Sequence, residues 1–218
     1  DEESLVCAFE LLQEVFEAAS NTLLAPHLAP LLELALGVLT APNMEEDTRF
    51  AALNLVCTAV EQKRKLVVKQ KLAAGVVAKL FEACAYANEA ANDDDDDDSL
   101  EKRSAQAVHL VACCLPSKHA ALPIVENAQA FAAAQEPSRR RAAIICLAMS
   151  AEGCCDFFQD QLPALLPIVC AACADGVQSV REAACICLGE FAQNLQPAII
   201  DHYEQVLPHI FMVLNDAT

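Results

Sequence analysis

The chain has 218 residues, a formal net charge of −17 at pH 7 and 55% hydrophobic residues. That charge repels phosphate backbones and disfavours direct nucleic-acid binding, and no uncharged stretch reaches the ~18 apolar residues of a membrane span. Five Gly and 5% aromatic residues argue against a β-rich fold, while Ala, Leu and Val in helical register predict an all-α one.

In chain order, the pattern predicts a first helix over 4–20, with Leu5, Ala8, Phe9, Leu12, Val15, Phe16 and Ala19 on one face. Asp1, Glu2 and Glu3 suit its positive dipole end. The acidic opening DEESLVCAFELL lacks the basic start of a signal peptide. A second helix is expected over 27–40, and Ala41-Pro42-Asn43 closes the pair. The next pair is expected over 46–62 and 66–87, broken at Gly75. Between its helices, KRKLVVKQK holds five of the fourteen basic residues. It is expected on a solvated outer face, the rival reading being a nuclear-targeting signal. NDDDDDDS, over 92–99, carries six like charges that oppose a helix and predict an acidic surface loop. Further pairs are expected over 101–115 with 118–134, 138–152 with 157–174, and 177–195 with 199–215. Gly153, Gly176 and Pro197 mark the turns between helices. The expected division is one solenoid segment of pairs at about 1–42, 43–91, 99–136, 137–175 and 176–218. An opening without Met and a close on Asp216-Ala217-Thr218 are what a piece of a longer array would show.

The repeats carry the fold. Arg-x-Ala opens the first helix of a pair at Arg49, Arg103, Arg140 and Arg181, in steps of 54, 37 and 41 residues, the longest spanning the acidic insertion. Pro30, Pro123, Pro167 and Pro208 fall in the first turns of the second helices. A period of about 40–47 residues with two helices each is the pattern of HEAT and armadillo solenoids. The expected architecture is an α-α superhelix of about five antiparallel helix pairs, whose neighbours complete each other's cores.

Sites for chemistry are scarce. No GxGxxG, Walker-type loop, HExxH or GxSxG occurs. The five His are scattered, and His109 within VHLV reads as packed. Carboxylates abound without forming an acid–base pair. The chain is therefore expected to be no enzyme and to need no cofactor or metal. Cys57, Cys84, Cys146, Cys170, Cys173, Cys185 and Cys187 lie in apolar helical runs, where a free thiol behaves as a small hydrophobe. Cys170-x-x-Cys173 and Cys185-x-Cys187 sit mid-helix, unlike the turn-borne ligands of structural zinc. Cys113-Cys114 and Cys154-Cys155 fall near helix ends, with Cys155 the one expected to be exposed and oxidisable. Twelve reduced cysteines fit the cytosol or nucleus.

At VREAACICLGEFAQNLQP the chain resembles the HEAT repeats of karyopherin-β (importin-β family) nuclear transport receptors, and within them the middle repeats of the importin-4 type. LLAPHLAPLLELAL and QLPALLPIVCAACADGVQSV fit the same receptors, and NDDDDDDS resembles their acidic loop. The resemblance implies a shuttling, cytoplasmic and nuclear protein that binds basic cargo, such as nuclear localisation segments, histones or ribosomal proteins. It implies cargo release by GTP-bound Ran in the full-length receptor, and extends the partners to nucleoporins. The absence of Trp sets the chain apart from the importin-α adaptors, whose armadillo grooves carry a Trp-Asn ladder. The alternative is a HEAT scaffold of the phosphatase or translation-factor type. A base-modifying HEAT enzyme is opposed by the net charge.

The resemblance also places the second helices on the concave side. In the fifth pair, Tyr203, Val206, Leu207, Ile210 and Leu214 form the expected buried set, which turns Gln205, His209, Met212 and Asp216 outward. Carried to the other repeats, this nominates Glu33, Glu126, Asn127, Asp175 and Asp216 as cargo-binding residues. Asp93, Asp94, Asp95, Asp96, Asp97 and Asp98 join them as a polyanionic contact.

Overall fold

The computed structural model describes residues 2–86 and 99–216, with side chains described up to residue 213. Residues 92–98 of the expected acidic loop, Asp93 to Asp98 included, lie outside the described residues. Among the described residues, twelve α-helices follow one another: α1 (Glu2–Ala18), α2 (Asn21–Leu24), α3 (Leu28–Leu39), α4 (Glu46–Gln62), α5 (Arg64–Lys69), α6 (Ala73–Cys84), α7 (Leu100–Cys114), α8 (Ser117–Ala132), α9 (Pro137–Ser150), α10 (Cys155–Cys173), α11 (Gln178–Asn194) and α12 (Tyr203–Asp216). A 3-10 turn, Ala198–His202, leads into α12. No strand occurs among the described residues.

Local chemistry sets the helix ends. Ser99 accepts a bond from the Lys102 N–H and caps α7, and Ser20 does the same for α2 through Leu23. Pro137 starts α9, where its missing N–H costs nothing. Glu2 reaches across to α4 and accepts from the Glu45 N–H (2.8 Å) and the Thr48 hydroxyl (2.9 Å). At the other end, the Lys63 ammonium donates to the Ala19 carbonyl just past α1 (2.7 Å). The anion therefore meets the start of α4 and the cation the end of α1, each matching the helix dipole.

The helices form two layers. In the first, α1, α4, α7, α9 and α11 pack side by side; in the second, α3, α6, α8, α10 and α12 do so. The buried core runs continuously between the layers, with Phe81 edge-on to Phe131 (5.5 Å) and Phe158 edge-on to Phe191 (6.1 Å). The Arg-x-Ala signature now has a cause. Arg49 donates to the Ala41 carbonyl, Arg140 to the Ala134 and Gln135 carbonyls, and Arg181 to the Asp175 carbonyl. Each guanidinium ties down the turn that precedes its own helix. The following residues Ala51, Ala105, Ala142 and Ala183 are buried, where only a methyl fits between close helices. These clamped turns join α3 to α4, α8 to α9 and α10 to α11. Those hairpins, with α6 to α7, pack far more extensively across the layers than the helices of each expected pair do.

Four local expectations need correction. The break in the second pair falls not at Gly75, which lies inside α6, but at Gln70–Lys71–Leu72, where Lys71 takes φ 58°. There the Gln70 amide donates to the Ala25 carbonyl (2.6 Å) and pins the bend. KRKLVVKQK is not wholly solvated: Lys63, Leu66 and Val67 are buried, and Arg64, Lys65, Lys69 and Lys71 stay exposed. Cys185 is exposed, Cys154 is buried and Cys155 is half-buried. In α12, Tyr203 and Leu207 are 55% and 42% exposed, and only Val206 and Ile210 of the expected set whose side chains are described turn toward α10. This helix packs on one side only among the described residues.

Candidate functional site

The curvature of the stack decides which acids face a partner. Over the whole stack, the first layer packs more closely than the second, most clearly at α1–α4 and α9–α11 against α3–α6 and α10–α12. A bent two-layer stack crowds its inner layer and spreads its outer one, so the first layer lines the concave side. This reverses the expected assignment. Glu33 on α3 and Glu126 on α8 are exposed, but on the outer layer. Asn127 is half-buried and its amide donates to the Pro123 carbonyl one turn back (2.8 Å). Asp216 ends α12, again in the outer layer. Polarity along a helix marks its solvent face; it carries no information on which way the stack bends.

Asp175 has a different role from the expected one. It sits in the turn between α10 and α11 and takes a two-pronged bond from Arg140, with Nε to Oδ2 at 2.6 Å and Nη2 to Oδ1 at 3.0 Å. Its Oδ1 also accepts the Val177 N–H (2.9 Å). The Arg140 hydrogen bond holds its carboxyl below the usual carboxylate range, and the Arg140 guanidinium is pushed up in return. The residue joins one hairpin to the next rather than reaching for a ligand.

On the concave side, α4, α7 and α11 present Asn54, Glu61, Gln106, Cys113, Glu182, Cys185 and Gln193 to solvent. A cleft of about 430 Å³ lies between α4 and α7, lined by Leu53, Asn54, Cys57, Arg103, Gln106, Ala107 and Leu110. Arg103 lies over the Phe50 ring there, 4.3 Å from its centroid. On the outer side, a cleft of about 390 Å³ opens between α8 and α10, with Ala132, Ile144, Pro167, Ile168 and Ala171 among its lining. It is mainly apolar, with Arg140 and Asp175 at its edge.

The thiols of the core are inert. Burial pushes the Cys57 and Cys154 thiols up to about 12 and Cys173 up to about 11, so none supplies a thiolate at neutral pH. His109, expected to be packed, has a side chain 40% exposed on the concave side.

Residues 137–191, which span α9, α10 and most of α11, match the family model described as HEAT-like repeat. The chain is 29% identical over 230 residues to importin-4 of Mus musculus, covering 99% of this chain and 21% of that protein. It is 25% identical over 200 residues to the probable importin subunit beta-4 of Schizosaccharomyces pombe, covering 92% of this chain and 18% of that one. The chain thus spans about a fifth of the length of these relatives. Among solved structures, Kap121p bound to RanGTP and Kap121p bound to Pho4p share its fold at a TM-score of 0.88 and 22% identity, covering 95% and 96% of this chain and 22% of each of those chains. The chain is a HEAT-repeat solenoid that resembles, along nearly all its length, a segment of karyopherin-β nuclear transport receptors of the importin-4 type.

Proposed function

We propose that this chain is a protein-binding segment of a nuclear import receptor, which carries basic cargo and releases it to GTP-bound Ran. The observation that carries this reading is the likeness to importin-4 proteins over 99% of the chain. The charge of −17 supports a Lys/Arg-rich cargo of the histone or ribosomal-protein kind. Kap121p structures bound to RanGTP, Pho4p and Nup53p support a partner set of Ran, cargo and nucleoporin for the full-length receptor, which would shuttle between cytoplasm and nucleus. The segment acts by binding and catalyses no reaction in this reading. The six Asp over 93–98 steer cargo from a distance, since a Debye length of about 8 Å leaves a dense charge cluster effective beyond contact. Glu61 and Glu182 supply inward-facing acid closer by, while Glu33 and Glu126 add to the field from the outer layer.

A pull-down from cell extract with the full-length receptor, with and without GTP-loaded Ran, tests the reading. Basic proteins should be retained, and lost when Ran-GTP is added. Retention that ignores Ran would favour a scaffold of the phosphatase or translation-factor type. For the segment itself, replacing the six Asp by Asn should slow association of a histone-tail peptide and flatten its salt dependence. An unchanged association rate at low salt would remove the acidic run from the mechanism.

A further inference from the structure

We propose that His109, Cys113 and Glu152 form a binding site for one zinc-class divalent ion on the concave side of the stack. His109 and Cys113 lie four residues apart on α7, one turn, so both point from the same face. Glu152 comes from the turn after α9. The three ligand atoms lie within 4.8 Å of one another. The Cys113 Sγ stands beside the ring, 3.7 Å from the His109 Nε2 and 3.9 Å from its Nδ1, and the Glu152 Oε2 is 3.9 Å from Nε2. Tetrahedral zinc with bonds of about 2.0–2.3 Å needs ligand atoms about 3.3–3.6 Å apart, so the set closes when the Cys113 thiol swings toward the Nε2 lone pair and Glu152 draws in. Cys113 and Glu152 are exposed and free to make these movements.

Two features make this a built arrangement rather than a chance meeting of surface groups. The first is the imidazole's orientation. Its Nδ1 lies 2.9 Å from the Met149 carbonyl oxygen, which can only accept, so Nδ1 carries a proton and the neutral ring presents a bare Nε2. A carbonyl behind the ring is the usual support of a metal-binding histidine. The second is Gly153. A Cβ there would stand 2.4 Å from the Ala112 carbonyl carbon and 2.6 Å from the Cys113 nitrogen. The turn lies directly on the α7 backbone at the peptide that leads into Cys113, and only glycine permits that approach. Ala151 and Cys154, on either side, are fully buried and anchor it. Glu152 is thereby held over the His109–Cys113 turn.

The donor set is one nitrogen, one sulfur and one oxygen. The thiolate selects against magnesium and calcium, and the mixed set suits zinc. Three protein ligands leave a fourth position to water, so the ion is exchangeable rather than a folding requirement. Its ligands come from α7 and from the turn after α9, so an ion would tie neighbouring repeats together on the inside of the bend. The set leaves no local signature in the sequence, because Glu152 lies 39 residues from Cys113.

The test uses the whole chain, reduced and freed of chelating thiols, titrated with cobalt(II) as the spectroscopic stand-in and then with zinc. One equivalent should give thiolate-to-cobalt charge-transfer absorption, which zinc then displaces, and should raise the melting temperature. Cys113→Ser should abolish that absorption. His109→Ala and Glu152→Gln should each weaken cobalt binding by about tenfold or more. Cys7→Ser and Cys185→Ser, at exposed thiols elsewhere, should leave it unchanged. All five positions are exposed or half-exposed, so ion-free melting temperatures should match the parent and separate lost ligation from lost fold. The proposal is overturned if Cys113→Ser titrates like the parent, if Cys7→Ser or Cys185→Ser removes the signal instead, or if the parent shows no saturable uptake.

Discussion

The two layers of the stack differ in where interior prolines fall and, less sharply, in their buried alanines. Buried alanines form adjacent pairs in three helices of the first layer, at Ala51-Ala52, Ala142-Ala143 and Ala183-Ala184, and in one of the second, at Ala120-Ala121. The second carries Pro123 in α8, Pro163 and Pro167 in α10, and Pro208 in α12, besides Pro30 in the first turn of α3. Small side chains let helix axes approach, and interior prolines bend helices and loosen their packing. A stack with crowding on one side and spreading on the other must curve toward the crowded side. The bend is thus written into composition, layer by layer.

The largest expected effect falls where the layers meet. Phe158 of α10 sits edge-on to Phe191 of α11 and is fully buried. Phe158→Ala should cost about 3–5 kcal/mol, read from urea unfolding. A smaller loss would mean that the layers are held together elsewhere. A more discriminating pair contrasts the layers directly. Ala184→Leu forces bulk into the crowded side and should cost about 1–3 kcal/mol. Pro167→Ala, at an exposed proline of the spread side, should leave stability unchanged or raise it. Equal costs for the two would erase the distinction between layers.

The smallest effect is the most specific. The Asp175 carboxyl is held below its ordinary value of 3.8 by the Arg140 hydrogen bond first, then by the Val177 N–H and nearby charge, against an opposing contribution from burial. A depressed acid stabilises the fold fully above its ordinary value and loses that contribution as pH falls below it. Asp175→Asn should therefore lower the melting temperature modestly at pH 7 and flatten its fall below pH 3.8. A mutant whose acid limb still parallels the parent's would place the sensitivity at another carboxylate.

Helix positions were readable from sequence because their signals are local. The 3.6-residue period and the turn signals Gly176 and Pro197 mark α10, α11 and α12 without reference to anything distant, and Arg-x-Ala betrays the repeat. What escaped depends on relations between repeats. Asp175 looked like a surface acid because Arg140, its partner, lies 35 residues earlier. Tyr203 and Leu207 looked buried because a helical period shows that a face is apolar, not whether another helix covers it. Glu33 and Glu126 were assigned to the inner side because layer order and curvature are properties of the stack. His109 looked packed because VHLV is apolar, yet its ring reaches the rim of α7.

One edge of the stack has a mechanical consequence. Arg49 lies over the Tyr86 ring at 4.0 Å from the centroid, and Arg103 over Phe50 at 4.3 Å, while Arg140 grips Asp175 through two short bonds. A cation above a broad ring face can slide by an ångström with little change in attraction, whereas a paired guanidinium–carboxylate bond is directional and loses both contacts together. Under tension along its axis, the ring contacts of Arg49 and Arg103 should slide while the Arg140–Asp175 pair acts as a latch between α9 and the turn before α11.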